Sequence, residues 1–290
     1  MKAAAAQLDV MRTNHFTREE AIVTALIVGA GAVENSWSPV LRALQPIFDF
    51  PLTADGAMSF MARLVYLRRW FQPDSDGAET REAALLRQQH SLIKERIANA
   101  LLAAEQSGEI RPRPELASVL NEFVIGPTRR LVVITTNWDG VVDAAVRTHG
   151  GDVLCNGHPL HLHGSIQEPA NMYLPAEVID ESQRPRTELA ALRGIHVSAL
   201  CEVQTALRVV VYGLSVSPLD AELGQFLASG LMNPLLRELI VVSPDHALVA
   251  HRLKLLIAPA SEIRILGYRP DQLREPAEYT VRRGTRASLT

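Results

Sequence analysis

The chain has 290 residues, 47% hydrophobic and 21% charged, ordinary globular usage with length enough for one large core. A net charge of −3 gives no general field for nucleic acid, and the basic clusters at Leu67–Trp70 and Arg282–Arg286 read as solvated faces. Two cysteines, Cys155 and Cys201, exclude a four-thiolate zinc site and do not suggest an oxidising compartment.

In chain order, the N-terminus MKAAAAQLDVMR carries too short an apolar run for a signal peptide. The first long apolar run, Ala21–Val33, is broken by small residues and falls short of the ~20 residues needed to cross a bilayer. No membrane association is expected, and the expected location is the cytoplasm. Five β-branched runs then read as buried strands: Thr24–Val28, Leu131–Thr135, Arg208–Tyr212, Glu238–Val242 and Glu262–Leu266. Their apolar character is continuous rather than alternating, as expected when both faces are covered. Helical patterns follow the second, third and fourth of them, at Val141–Arg147, Leu219–Ala228 and His246–Leu256. The alternation predicts an α/β fold, a Rossmann-like parallel sheet flanked by helices.

Between the first two strands the rhythm breaks. Residues 54–121 hold no strand candidate, while Ala78–Gln106 spaces Leu85, Leu86, Leu92, Ile93, Ile97, Leu101 and Leu102 as a helix stopped by Ser107–Gly108. An Arg-Pro-Arg-Pro linker at Arg111–Pro114 precedes another short helix. The expectation is a single domain over 1–290, with a helical insertion at 54–121 and a polar, basic tail at 275–290.

Polar residues crowd the ends of the predicted strands. The first runs into Gly29-Ala30-Gly31-Ala32, where missing side chains let backbone amides approach a phosphate. Glu34 stands where a dinucleotide fingerprint would place its third glycine, and a purely structural turn is the alternative. The second ends in Thr135, Thr136, Asn137 and Asp139, at the edge where open α/β sheets bind ligands; helix capping by Asn137 or Asp139 is the competing reading. The stretch HPLHLHG follows. In an extended segment His161 and His163 share a face, so two metal ligands are conceivable, but no third or fourth ligand has suitable spacing. One catalytic base is more economical; His163, before Gly164, sits where a strand opens into a loop, and His158 belongs to a turn. Gly213, Ser215 and Ser217 follow the third strand, Ser243 and Asp245 the fourth.

The ordered set GAGA, TTNWD, LHGS and GLSVSPLD resembles the SIR2-like NAD-binding family, and within it the bacterial antiphage-defence members more than the protein deacylases. The resemblance covers roughly Ala21 to Asp245. It implies an NAD+ glycohydrolase that cleaves NAD+ to nicotinamide and ADP-ribose and acts in defence by depleting NAD+. Gly29, Ala30, Gly31 and Ala32 would cradle the pyrophosphate, and Asn137 would hold the nicotinamide ribose and the attacking water. Asp139 would sit by the carboxamide, His163 would be the base, and Gly213 and Ser215 would line the adenosine side. Thr136 and Ser243 complete the binding candidates. NAD+ is then a substrate, and no metal is expected.

The chain departs from the deacylases. It lacks their paired C-x-x-C module, reads Thr-Thr-Asn for their Thr-Gln-Asn, and shortens their later G-T-S-L element. An NAD- or ADP-ribose-binding sensor without turnover, and an NAD-dependent deacylase, are the alternatives. Because no sensor module accompanies the predicted site, a separate regulatory protein or homo-oligomerisation is expected to control it.

Overall fold

A computed structural model describes residues 23–71, 80–124, 130–150, 158–179, 184, 186–257 and 262–279. The apolar runs form strands because each has two faces to bury. In β1 (Val23–Val28), Leu26 and Val28 pack on one face with the insertion helices, and Ala25 and Ile27 on the other. The same division runs through β4 (Arg130–Thr135), β6 (Arg208–Tyr212), β7 (Glu238–Val242) and β8 (Arg264–Tyr268). With β5 (Leu160–His161) and β9 (Ala277–Tyr279) they make a seven-stranded sheet ordered β5-β4-β1-β6-β7-β8-β9. All neighbours are parallel except β9, which runs antiparallel to β8. The fold is therefore α/β, a Rossmann-like sheet flanked by helices.

β1 lies at the centre. The chain leaves it towards β4 and β5 on one side, then returns to β6 on the other, so the strand order switches direction between β1 and β6. Val28, the last residue of β1, pairs with both Thr135 and Tyr212, which brings three strand ends to one point. Open α/β sheets form their ligand crevices at such a point, beyond the carboxyl ends of the strands.

Four helices follow β1: α1 (Ser38–Leu44), ahead of the stretch expected as an insertion, and α2 (Ala54–Trp70), α3 (Arg81–Ser107) and α4 (Pro114–Val119) within it. Thr53 and Thr80 accept hydrogen bonds from the Gly56 and Ala83 amides and start α2 and α3; Gly108, at φ 70°, ends α3. Two short strands, β2 (Val33–Glu34) and β3 (Arg111–Pro112), pair antiparallel, so the Arg-Pro-Arg-Pro stretch is a strap tied to the glycine turn rather than a bare linker. After β4 come α5 (Val141–Gly150), α6 (Arg186–Thr205), α7 (Ala221–Gly230) and α8 (His246–Lys254).

The strand expected at Glu262–Leu266 is displaced two residues, to Arg264–Tyr268. Part of the expected tail is β9, held by the Tyr279 hydroxyl 2.6 Å from His246 Nδ1. The N-terminal segment 1–22, Cys155, the Arg282–Arg286 cluster and the start of the helix expected from Ala78 lie outside the described residues. Among the described residues, no helix is long and apolar enough to cross a membrane.

Candidate functional site

The carboxyl ends of the parallel strands enclose a cavity of about 910 Å³, within the size range of small-molecule sites. Ala30 and Gly31 reach it from β1, and Thr136, Asn137 and Asp139 from β4. His163 follows β5, Gly213 and Ser215 follow β6, and Ser243 follows β7. Gly29 and Ala32 do not line it. Most of the residues singled out along the sequence therefore meet in one place.

The glycine turn has a packing role. The Gly29 amide donates to the Tyr212 carbonyl at 2.9 Å, that of Gly31 to Gly213 at 2.9 Å, and that of Ala32 to Gly29 at 3.0 Å. A Cβ on Gly31 would lie 2.9 Å from the Gly213 Cα, and one on Gly213 would meet the Ala32 nitrogen. The two turns thus cross in van der Waals contact, and these glycines are required for that crossing whatever the cavity holds.

The Asn137 side chain has fewer internal commitments. Asn137 is 5% exposed, its backbone amide is spent on Thr135 Oγ1 at 3.1 Å, and both polar atoms of its side chain are buried without a hydrogen-bond partner. Buried amides in this state cost about 1–3 kcal/mol. His163 is buried, and its Nε2 lies 3.2 Å from Asp220 Oδ1, within ion-pair distance. Burial opposes charging of the ring. The Asp220 carboxylate, Glu222 and the backbone of Thr136 outweigh it and hold His163 above the ordinary histidine range. Asp220 is fixed by capping α7, accepting from the Leu223 amide at 3.1 Å. Burial pushes it up, but His163 and that amide bring it below the usual carboxylate range.

Asp139 both caps and lines. Its Oδ1 accepts from the Val141 amide at 3.1 Å, while burial pushes its carboxyl up to about 6. Asp139 thus accepts a hydrogen bond at the start of the next helix and also lines the cavity.

His161 is turned elsewhere. β5 is only two residues long and the chain turns at Leu162–His163, so the shared face expected of an extended segment does not form. His161 Nδ1 instead donates to the Asn137 carbonyl at 3.0 Å, and its Nε2 meets Asp143 Oδ2 at 2.9 Å. Both neighbours are acceptors, so both bonds form only with the imidazolium; burial opposes that charge and Asp143 outweighs it, raising the ring's pKa. His158 is exposed at a bend. Among the described residues, no three His, Cys, Asp or Glu side chains gather as metal ligands.

Residues that sequence reasoning missed complete the walls. Glu177 accepts from Lys94 Nζ at 2.9 Å, with His90 Nε2 at 3.0 Å and Arg184 Nη2 at 3.3 Å. Burial alone would raise the Glu177 carboxyl, but Lys94, His90 and Arg184 hold it far below the usual range. Burial brings Lys94 down to about 8 against the pull of Glu177. This network ties α3 to the loop beneath the cavity. Val216 lies on the cavity wall at φ 50°, a costly conformation for a β-branched residue, and Asn35 on the same wall is at φ 57°.

No family model matches the chain, and no curated protein matches it. Among solved structures it is similar to CbbY from Rhodobacter sphaeroides in complex with phosphate, at 18% identity and a TM-score of 0.35, over 77% of this chain and 86% of that one. That likeness is too distant to carry an activity from one protein to the other. It does not lead to the SIR2-like family, and the expected membership is corrected accordingly. The NAD+ glycohydrolase activity, the antiphage role, and the sensor and deacylase alternatives rested on that resemblance and do not stand. The physical reason lies in the four motifs themselves. Each has a local structural cause: the crossing of Gly31 and Gly213, the cap formed by Asp139, the left-handed turn of Gly164 at φ 71°, and the cap formed by Asp220. A parallel sheet with a cavity at its carboxyl edge needs such turns irrespective of family.

Proposed function

We propose that this protein is an acid–base enzyme of the hydrolase type, acting on a nucleoside- or nucleotide-sized molecule that carries sugar hydroxyls. The observation that carries this reading is the buried Asn137 amide, both of its polar atoms without a partner, meeting the His163–Asp220 pair at one cavity. Neutral His163 accepts a proton from water or a ligand hydroxyl through Nε2, and the Asp220 carboxylate stabilises the imidazolium formed. The Asn137 amide, able to donate and accept, orients the ligand.

Wall charge favours hydroxyl-rich ligands over heavily phosphorylated ones. Six carboxylates line the cavity against three arginines, Arg113, Arg252 and Arg269. Three of the carboxylates are offset: Glu177 by its cations, Asp220 by His163, and Asp271 by Arg269. Glu115, Asp139 and Asp245 remain as acceptors. Trp37 and Trp138 offer flat apolar faces for a base or sugar ring. NAD+ stays within this class as a bound ligand.

The test is calorimetry with nucleosides, nucleoside monophosphates, NAD+ and sugar phosphates on the full-length chain, followed by product detection by NMR. Binding of at least one such ligand is expected, with turnover reduced about 10²–10⁴-fold in His163→Ala. Absence of binding across the panel, or full turnover in His163→Ala, would overturn the reading.

A further inference from the structure

Two further buried polar atoms without a partner belong to residues that line the cavity. Tyr212 ends β6 and is 1% exposed, and its hydroxyl is buried without a hydrogen-bond partner. Its ring faces the insertion side of the sheet. Glu115, in the first turn of α4, has a buried Oε2 that is likewise without a partner. Both residues line the cavity. The two groups sense one another: burial raises the Tyr212 hydroxyl pKa most, and the Glu115 carboxylate raises it further.

A carboxylate oxygen accepts only, and a phenol hydroxyl donates and accepts. The moiety that completes both must bring at least one donor to the carboxylate and a second polar group to the phenol. A phosphate would be repelled by Glu115. A free ammonium would meet the Arg113 guanidinium, which lines the same wall. A neutral vicinal diol satisfies both atoms, one hydroxyl donating to the carboxylate and its neighbour exchanging a hydrogen bond with the phenol; acidic side chains in dinucleotide-binding sheets hold ribose hydroxyls in the same way.

We infer that Glu115 and Tyr212 form a subsite for the 2′,3′-diol of a ribose, built jointly by α4 of the insertion and the end of β6. The inference rests on the proposed ligand class and names the part of the ligand that the cavity reads. Because α4 carries Glu115 and follows the β3 strap against the glycine turn, the insertion is a specificity element of the site.

The experiment measures dissociation constants of the full-length chain for the four ribonucleoside 5′-monophosphates and their 2′,3′-dideoxy counterparts. The wild-type chain is expected to prefer at least one ribonucleotide over its dideoxy form by about 10–100-fold, the range of a charge-assisted hydrogen bond. Glu115→Gln is expected to remove most of that preference by weakening ribonucleotide binding while leaving dideoxynucleotide binding within about twofold. Tyr212→Phe should remove a smaller part and leave the melting temperature equal or higher, which separates lost recognition from lost folding. Equal affinity for the ribo and dideoxy forms, or a loss in Glu115→Gln shared by both, overturns the diol subsite and leaves the ligand class standing. No binding of any of the eight overturns the diol subsite, and the ligand class falls with it only when the nucleosides, NAD+ and sugar phosphates also fail to bind.

Discussion

Asp139 shows what individual residues at this site cost the fold. Its carboxyl is 4% exposed and its pKa is raised to about 6, chiefly by burial. A carboxyl whose folded pKa is raised stabilises fully below its unfolded pKa, and that stability is lost as pH rises through the folded value. Here the loss falls between about pH 4 and 6 and amounts to roughly 2–3 kcal/mol. Asp139→Asn keeps an oxygen to cap α5 and removes the charge. It is therefore expected to unfold at higher denaturant than wild type at pH 7–8, with the difference vanishing near pH 4. A difference independent of pH would show that the Asp139 carboxyl is not held up by burial. A group retained at such a cost beside Asn137 suits a role in the cavity rather than in folding.

Among elements, the crossing of the β1 and β6 turns has little tolerance. Gly213 is at φ 67° and a side chain there would enter the backbone of the first turn. Gly213→Ala is expected to lose at least about 2 kcal/mol in chemical denaturation. A loss under about 0.5 kcal/mol would mean that the turns do not touch as described. The strands were legible because each is a continuous apolar run, and their polar ends were legible because glycine, asparagine and serine interrupt those runs. The α6 helix was harder to read. Its buried positions, Leu192, His196, Ala199 and Val203, are helically spaced, but a histidine stands in the apolar row, held there by a 2.9 Å bond to the Leu162 carbonyl. β5 and β9 are too short for periodicity to show. The separation of His161 from His163 depends on where a two-residue strand ends, which no pattern in HLH announces.

Across the whole molecule, the parallel sheet sets where the cavity lies and the insertion sets what its far wall offers. The candidate base and ligand-orienting amide could be picked from sequence because they stand at strand ends. Asp220, Glu115, Glu177 and Tyr212 could not, since their meaning comes from elements brought together over long separations. Glu177 reaches Lys94 across 83 residues, and no local motif records that pairing. The family reading failed for the same reason: strand-end motifs report a topology and a cavity, while a particular reaction depends on the rest of the wall.

The central claim, that His163 acts as a base supported by Asp220, is tested most directly by the pH dependence of turnover in wild type and Asp220→Asn, using a substrate from the nucleoside and nucleotide panel. His163 is held above its ordinary pKa by Asp220, so the neutral base forms, and the rate rises, as pH increases through a value above about 6.5. In Asp220→Asn the asparagine can still cap α7, but the charge is gone and burial dominates. The rising limb is then expected to move to lower pH, with a smaller maximal rate. A rate without a rising limb in this range, or a limb unmoved by Asp220→Asn, would contradict the account.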